Sequence, residues 1–514
     1  MTDKFYLLSE PKLEFGSGQQ AEDPHDGLAL FGPAETRSDI PDYVVIGSKA
    51  GLSLWDNWVD SLNSSAACED VTRQRPWPPF PGFDVAFGCM WPKPSKRYVL
   101  DTRQLDLMSR RADRYERAYS VANLYLSPIQ TQVPRLDSKP ALAVCVVPEH
   151  VYQNCRTKSY VADTSDDVRS STERSELKSL LKDKQSGQRH FAFVELPPNL
   201  EQYGLSPDFR RQLKARVMQY DMPVQIVRES TLNITDKVGR GLKGVNPLSD
   251  RLWNIGTALF YKCGRKPWKT PWARDGVCYV GLAYRMSEDK RTACCAAQMF
   301  LDSGDGVVFV GEFGPWYSQD RKEFHLTRKA ARDLLDGTIR TYLEQDGRKL
   351  TEIFLHARSG LDREEFEGFA EACPAGVKLV GIRVRKDRFE PRLFRHDDHP
   401  EASRRGMHPV LRGTFWQRTK RHGLLFTSGF KPRIATYDGW EIPVPLSITI
   451  QHGEADLIQV ATDILGLTKL NYNSCQLGES QPITVKYSDK IGEVLLSNPE
   501  LPREQWRTNF KYYI

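Results

Sequence analysis

Arg210 and Lys214 stand four residues apart in Pro207-Asp-Phe-Arg-Arg-Gln-Leu-Lys-Ala-Arg-Val-Met-Gln-Tyr. Phe209, Leu213, Val217 and Met218 recur at helical spacing through the same stretch, which predicts a helix with one face packed inward. Ser206 can cap it, Pro207 suits its first turn, and Pro223 follows its end. Residues four apart on a helix project side by side, and two cations so placed repel by about 0.2–0.5 kcal/mol. An anion between them removes that cost. Two readings stand at this point: an anion-binding pair, or a basic face turned to solvent.

The chain that must position these residues has 514 of them, enough for two to four domains and a sizeable core. Its 40% hydrophobic and 27% charged content is ordinary for a globular protein. The net charge of +6, from 72 basic and 66 acidic residues, permits a polyanionic partner without requiring one. No run is apolar and long enough for a membrane span, and the first residues lack the apolar core of a signal peptide. Ten cysteines without a Cys-x-x-Cys pair fit buried thiols in a reducing compartment, so a cytoplasmic protein is expected. Cys294 and Cys295, in Ala-Cys-Cys-Ala-Ala, are expected on a packed helix.

Residues 1–40 are rich in Gly, Pro and Asp and predict an irregular lead-in. A strand at Asp42–Gly47 precedes a helix over about 52–62. The prolines and tryptophans of 68–100 predict a rigid connection, and 104–121 is helical in pattern. Ala141–Val147 is a continuous apolar run, as in a strand covered on both faces. Residues 156–190 are polar and predict an insertion or mobile loop. Strands at Phe191–Leu196 and Val224–Val227 then alternate with the opening helix and one over 248–262, which implies a parallel, Rossmann-like sheet. A second alternating block begins at Val277, with strands near 306–312, 353–356, 379–384, 423–428 and 446–451. Its helices fall near 327–344, 454–465 and 488–496. The boundary is set near 270, at Gly264-Arg-Lys-Pro-Trp-Lys-Thr-Pro-Trp.

Several segments together resemble the Argonaute family, specifically short prokaryotic Argonautes made of MID and PIWI domains only. They are Gly27-Leu-Ala-Leu-Phe-Gly-Pro, Trp253-Asn-Ile-Gly-Thr-Ala-Leu-Phe-Tyr-Lys-Cys-Gly-Arg-Lys-Pro-Trp, Leu467-Thr-Lys-Leu-Asn-Tyr-Asn and the terminal Asn509-Phe-Lys-Tyr-Tyr-Ile. Cys294-Cys-Ala-Ala-Gln-Met-Phe-Leu-Asp and Gly311-Glu-Phe-Gly-Pro-Trp-Tyr look similar to the Argonaute subunits that work beside a TIR-APAZ protein. The resemblance implies an α/β chain: a Rossmann-like MID domain over 41–270 and an RNase H-like PIWI domain over 271–514.

By resemblance, Lys214, Gln225 and Lys262 match the MID residues that hold a guide strand's 5′-phosphate, while Arg210 occupies a variable position. A terminal phosphate carries up to two charges and suits several charge-assisted donors in a concave site. The family also implies a Mg²⁺ shared between that phosphate, Gln225 and the C-terminal carboxylate of Ile514. The interval from Gln225 to Lys262 is long, which suggests an insertion around 239–246.

PIWI domains cut with carboxylates that hold two metals. At the matching positions this chain has Ala283, then Arg358 and Ser359, and only Asp489 as a remnant acid. Glu312 aligns with no catalytic place. The resemblance therefore implies an inactive PIWI domain whose groove holds a duplex by phosphate contacts. Arg383, Arg385, Lys386 and Arg388, followed by Arg392, Arg395, Arg412, Arg418, Lys420 and Arg421, are the expected lining.

The implied function is guide-dependent sensing in a prokaryotic antiviral and plasmid defence system. A 5′-phosphorylated guide RNA pairs with single-stranded target DNA, and a heterodimeric TIR-APAZ partner hydrolyses NAD as the assembly oligomerises. A sirtuin-like or nuclease APAZ protein is the variant partner. The alternatives are a divergent PIWI endonuclease using Glu312, Asp489 and Asp362, and an unguided basic nucleic-acid binder.

Overall fold

The computed structural model describes residues 3–36, 40–68, 77–159, 161, 176–177, 179, 200–234, 246–286, 293–300, 306–310, 316–318, 323–345, 349–395, 408–434, 437, 442–499, 501–502 and 505–514. The expected strand at 191–196, the possible insertion at 239–245, Glu312 and most of 156–190 lie outside the described residues.

Two sheets organise the described chain. The first has four parallel strands in the spatial order Lys96–Leu100, Tyr43–Ser48, Leu142–Val147, Val224–Arg228. The apolar runs become legible here, because alternate residues feed opposite faces. Val44, Ile46, Ala143, Cys145 and Val147 join Tyr125, Phe209, Leu213 and Val217 on one side. Tyr43, Val45, Leu142, Val144 and Val146 join Trp55, Trp58, Leu259 and Phe260 on the other. The second face is continuous with the core of the second sheet, through Trp268, Tyr279, Ile450 and Phe510, Tyr512, Tyr513 and Ile514.

The second sheet has nine strands, in the order Lys4–Leu7, Thr414–Gln417, His422–Leu425, Leu446–His452, Lys378–Lys386, Glu352–Ala357, Val277–Met286, Ala293–Phe300, Gly306–Val310. Three neighbours, Val277–Met286, Glu352–Ala357 and Lys378–Lys386, run parallel; the remaining pairings are antiparallel. This mixed sheet has the RNase H-like form expected of a PIWI domain. Gly281 lets its strand lie against the Ile483–Lys486 helix: a Cβ there would sit 2.0 Å from the Thr484 carbonyl oxygen.

Four local expectations are corrected. Residues 4–7 are the edge strand of the nine-stranded sheet, and Pro24–Phe31 is a helix capped by Asp23. Residues 68–100 hold the Phe83–Phe87 helix and the Lys96–Leu100 strand. The single helix expected over 104–121 is two, Thr102–Ser109 and Arg114–Thr131, with Asp113 capping the second through the Tyr115 N–H. Cys294 and Cys295 lie on the Ala293–Phe300 strand, paired residue for residue with Val277–Met286. Alanine favours helix by local propensity, and the long pairing partner overrides it. No described helix is long and apolar enough to cross a membrane.

Candidate nucleic-acid interface

The Phe209–Val217 helix is capped by Asp208, whose carboxylate accepts from the Arg211 N–H at 3.1 Å; Ser206, expected as the cap, accepts from the Asp208 N–H instead. Phe209, Leu213 and Val217 anchor the helix in the core. Lys214, one residue past Leu213, is therefore drawn inward to 5% exposure, while Arg210 stays exposed. Lys214 Nζ donates to the Tyr513 carbonyl at 3.2 Å, across 299 residues of sequence.

Lys262 ends the Leu248–Lys262 helix, where a cation suits the helix dipole. Its Nζ donates to the Val224 carbonyl at 3.0 Å and to Gln225 Oε1 at 2.7 Å. The chain end is pinned beside them: Tyr512 Oη donates to Asp221 at 2.7 Å, Tyr513 Oη donates to the Arg507 carbonyl at 2.8 Å, and Ile514 is buried.

A further cation converges here that the sequence did not single out. Lys490, on the Ser488–Leu495 helix, lies 4.6 Å from the Tyr487 ring centroid. Burial, then Arg210 and Lys486, push its ammonium down to about 8 against the pull of Glu479 and Glu493. Burial, followed by Lys262, Arg210 and Lys490, holds Lys214 well below the ordinary lysine range. Burial and then Arg210 push Lys262 down to about 7, with Cys145 opposing. Neither Lys214 nor Lys262 has a side-chain carboxylate partner among the described residues. Four basic side chains crowded this way can take an anion, because the charged form of each is stabilised by whatever negative charge enters.

The pKa directions give a pH dependence. An entering phosphate favours the charged amines, so above pH 7 binding takes up a proton at Lys262. Affinity for a phosphate-bearing ligand is expected to fall as pH rises from 7, by up to about tenfold per unit. Titrating binding between pH 6.5 and 9 checks this, and Lys262→Ala should flatten the profile.

Gln225 Oε1 is a hard oxygen of this pocket that a divalent cation could use. It already accepts from Lys262, but an amide oxygen has a second lone pair, which leaves room for one metal bond.

The second part of the interface is a cleft of about 560 Å³ in the nine-stranded sheet, lined in part by Glu323, Arg358, Arg385, Lys386, Arg388 and Asp489. Arg358 and Ser359 follow the Glu352–Ala357 strand, and Asp489 opens the Ser488–Leu495 helix. The Arg358 guanidinium forms an ion pair with Asp489. Ala283 sits on the Val277–Met286 strand, paired with Ala296. Nearby His356 donates to or accepts from Thr484 Oγ1 at 3.0 Å, and burial pushes its imidazole down to about 3, so it is neutral. Among the described residues no group of three His, Cys, Asp or Glu side chains could hold a metal ion.

Of the expected groove residues, Arg385, Lys386 and Arg388 line the cleft, with Arg385 2.9 Å from Asp387 and Lys386 2.7 Å from Ser480 Oγ. Arg383 does not line it: its guanidinium pairs with Glu323 and donates to the Arg358 carbonyl at 3.3 Å, bracing the cleft from behind. Arg412 is buried, bonded to Glu10 at 2.9 Å and Thr468 Oγ1 at 2.7 Å, so it is a core residue. Asp362, offered as an alternative catalytic acid, caps the Arg363–Ala372 helix in a capping box.

A four-stranded parallel sheet joined through one core to a mixed nine-stranded sheet is a fold similar to the MID and PIWI domains of Argonaute proteins. Sequence likeness sets the chain beside them as well. It is 26% identical over 318 residues to the Protein argonaute of Aquifex aeolicus, covering 60% of this chain and 38% of that one. Its fold is similar to Clostridium butyricum Argonaute bound to a guide DNA and a 19-mer target DNA, with TM-score 0.58, 15% identity, and coverage of 98% of this chain and 54% of the other. Drosophila Piwi gives TM-score 0.57 at 13% identity, covering 99% and 56%. The chain thus spans about half the length of these solved relatives. No family model matches it.

Proposed function

We propose that this chain is a guide-dependent nucleic-acid sensor that binds a 5′-phosphorylated guide strand, pairs it with a complementary target, and leaves that target uncut. The observation that carries this reading is the convergence of Arg210, Lys214, Lys262 and Lys490 beside the buried chain end. Such a site suits one terminal phosphate better than an internal linkage, because a terminal phosphate brings a second charge and a third free oxygen. When bound, Mg²⁺ at Gln225 and Ile514 would offset the repulsion between that phosphate and the terminal carboxylate. The guide is proposed to be RNA and the target single-stranded DNA, following the family resemblance.

The cleft supports recognition without cleavage. Two-metal hydrolysis needs clustered carboxylates to hold its cations. Here Asp489 is tied to Arg358 and Glu323 to Arg383. Output then falls to a partner, proposed as a TIR-APAZ protein that hydrolyses NAD once target is paired. The endonuclease reading makes the opposite prediction. Guide-loaded protein incubated with complementary DNA and Mg²⁺ or Mn²⁺ is expected to leave the DNA full length on a denaturing gel. A product cut at a fixed distance from the guide 5′ end would establish the endonuclease instead.

A further inference from the structure

The cleft carries four cations and two carboxylates on its walls, and both carboxylates are spoken for. Glu323 accepts from Arg383 and from the Gly360 N–H at 2.9 Å, and Asp489 accepts from Arg358. Arg385 is matched by Asp387, which leaves Lys386 and Arg388 as surplus positive charge at the end of the Lys378–Lys386 strand. Arg358 is 51% exposed and presents one guanidinium nitrogen to Asp489. A guanidinium has five N–H donors in a planar fork, so it can serve a carboxylate and a phosphate together. Ser359, the next residue, also lines the cleft, but its Oγ is buried, so the open donors on the wall are the cations.

We propose that Arg358 takes the place of a divalent cation in this cleft: it neutralises Asp489 and grips one phosphodiester of the target strand, with Lys386 and Arg388 on its neighbours. This deepens the reading of the chain as a target-binding protein and rests on it. The substitution has a chemical consequence. A guanidinium supplies the positive charge that a metal would, but it holds no water to be activated as a nucleophile, so the linkage is held and never attacked. The ligand is a continuous sugar–phosphate backbone, because the cations reach the cleft from two strands, Arg358 after Glu352–Ala357 and Arg385, Lys386 and Arg388 at the end of Lys378–Lys386.

Equilibrium binding of a labelled complementary strand to the guide-loaded full chain tests this, with guide retention measured separately for each variant. Arg358→Met is expected to weaken target binding about tenfold with guide retention unchanged. Asp489→Asn should tighten it about threefold, since it frees the guanidinium for the strand, and a gain of affinity cannot come from misfolding. Replacing target linkages one at a time with uncharged methylphosphonate should reveal one position that costs wild type about tenfold and costs Arg358→Met nothing further. The proposal is overturned if Arg358→Met binds target within twofold of wild type, if Asp489→Asn weakens binding, or if no linkage loses its effect in Arg358→Met. Wild-type protein that fails to retain guide contradicts the sensor reading instead. The same methylphosphonate series on preformed guide–target duplex then decides the cleft on its own.

Discussion

Replacing Lys214 and Lys262 together with alanine is expected to abolish selective retention of a 5′-phosphorylated guide, lowering its affinity by at least about 100-fold. Charge-assisted hydrogen bonds are worth about 1.5–3 kcal/mol each, and two of them account for that loss. The double variant should fold. Both lysines are held below their ordinary range by burial and by Arg210, with Lys262 also acting on Lys214, so the empty pocket bears a cost that alanine removes. Lys214→Ala does forfeit the bond to the Tyr513 carbonyl, yet Tyr512, Tyr513 and Arg507 still fasten the chain end. A 5′-hydroxyl guide is the internal control: its weaker binding, through backbone contacts alone, should change little. Filter binding with the two guides measures both outcomes, and Arg210→Ala, on the exposed side of the helix, should fall between wild type and the double variant.

Glu10→Ala is expected to destabilise the protein by about 3–5 kcal/mol, the usual cost of leaving a buried charge without its partner. Glu10 lies between Arg412 at 2.9 Å and Lys469 at 2.7 Å, whose side chains are 2% and 0% exposed. Burial works to raise the Glu10 carboxyl, but Arg412 and Lys469 outweigh it and hold it below the ordinary carboxylate range. Lys469, pushed down to about 8 by burial with Glu10 as the largest influence raising it, would fall further once the acid is gone. The sign with pH follows: a carboxyl depressed in the fold contributes fully above its unfolded value and loses that contribution as pH falls through the folded one. Chemical denaturation followed by tryptophan fluorescence should show the lowered midpoint at neutral pH. Target affinity of the folded fraction should be unchanged, because the Glu10–Arg412–Lys469 cluster fastens the N-terminal segment to the nine-stranded sheet and lies outside the cleft lining.

The same cluster shows where sequence reasoning stops. Arg412 was legible as a cation in a basic run, and nothing near it in the chain announces a carboxylate 402 residues away. Arg383 failed for the same reason, since Glu323 belongs to a different strand. Lys490 carries no local signal of its own, standing next to Asp489 in an ordinary charged stretch. Only the packing of the Ser488–Leu495 helix against the Phe209–Val217 helix brings its ammonium to Lys214. In contrast, the two faces of the parallel sheet were written in alternate residues of Tyr43–Ser48 and Leu142–Val147, and the buried side of the Phe209–Val217 helix in its apolar spacing. Burial patterns are local and periodic, so they can be read from one strand or helix. Charge pairing across the fold is neither, and strand pairing is not local either, which is why the Cys294–Cys295 stretch also suits a helix in sequence alone.

The most direct measurement compares one guide sequence bearing a 5′-phosphate with the same sequence bearing a 5′-hydroxyl, bound to the wild-type chain at physiological salt and pH 7. Convergent cations at Arg210, Lys214, Lys262 and Lys490 predict a preference of at least about 100-fold for the phosphate, weakening as pH rises. Equal affinity for the two ends would contradict the account and leave only a basic surface that binds nucleic acid along its backbone.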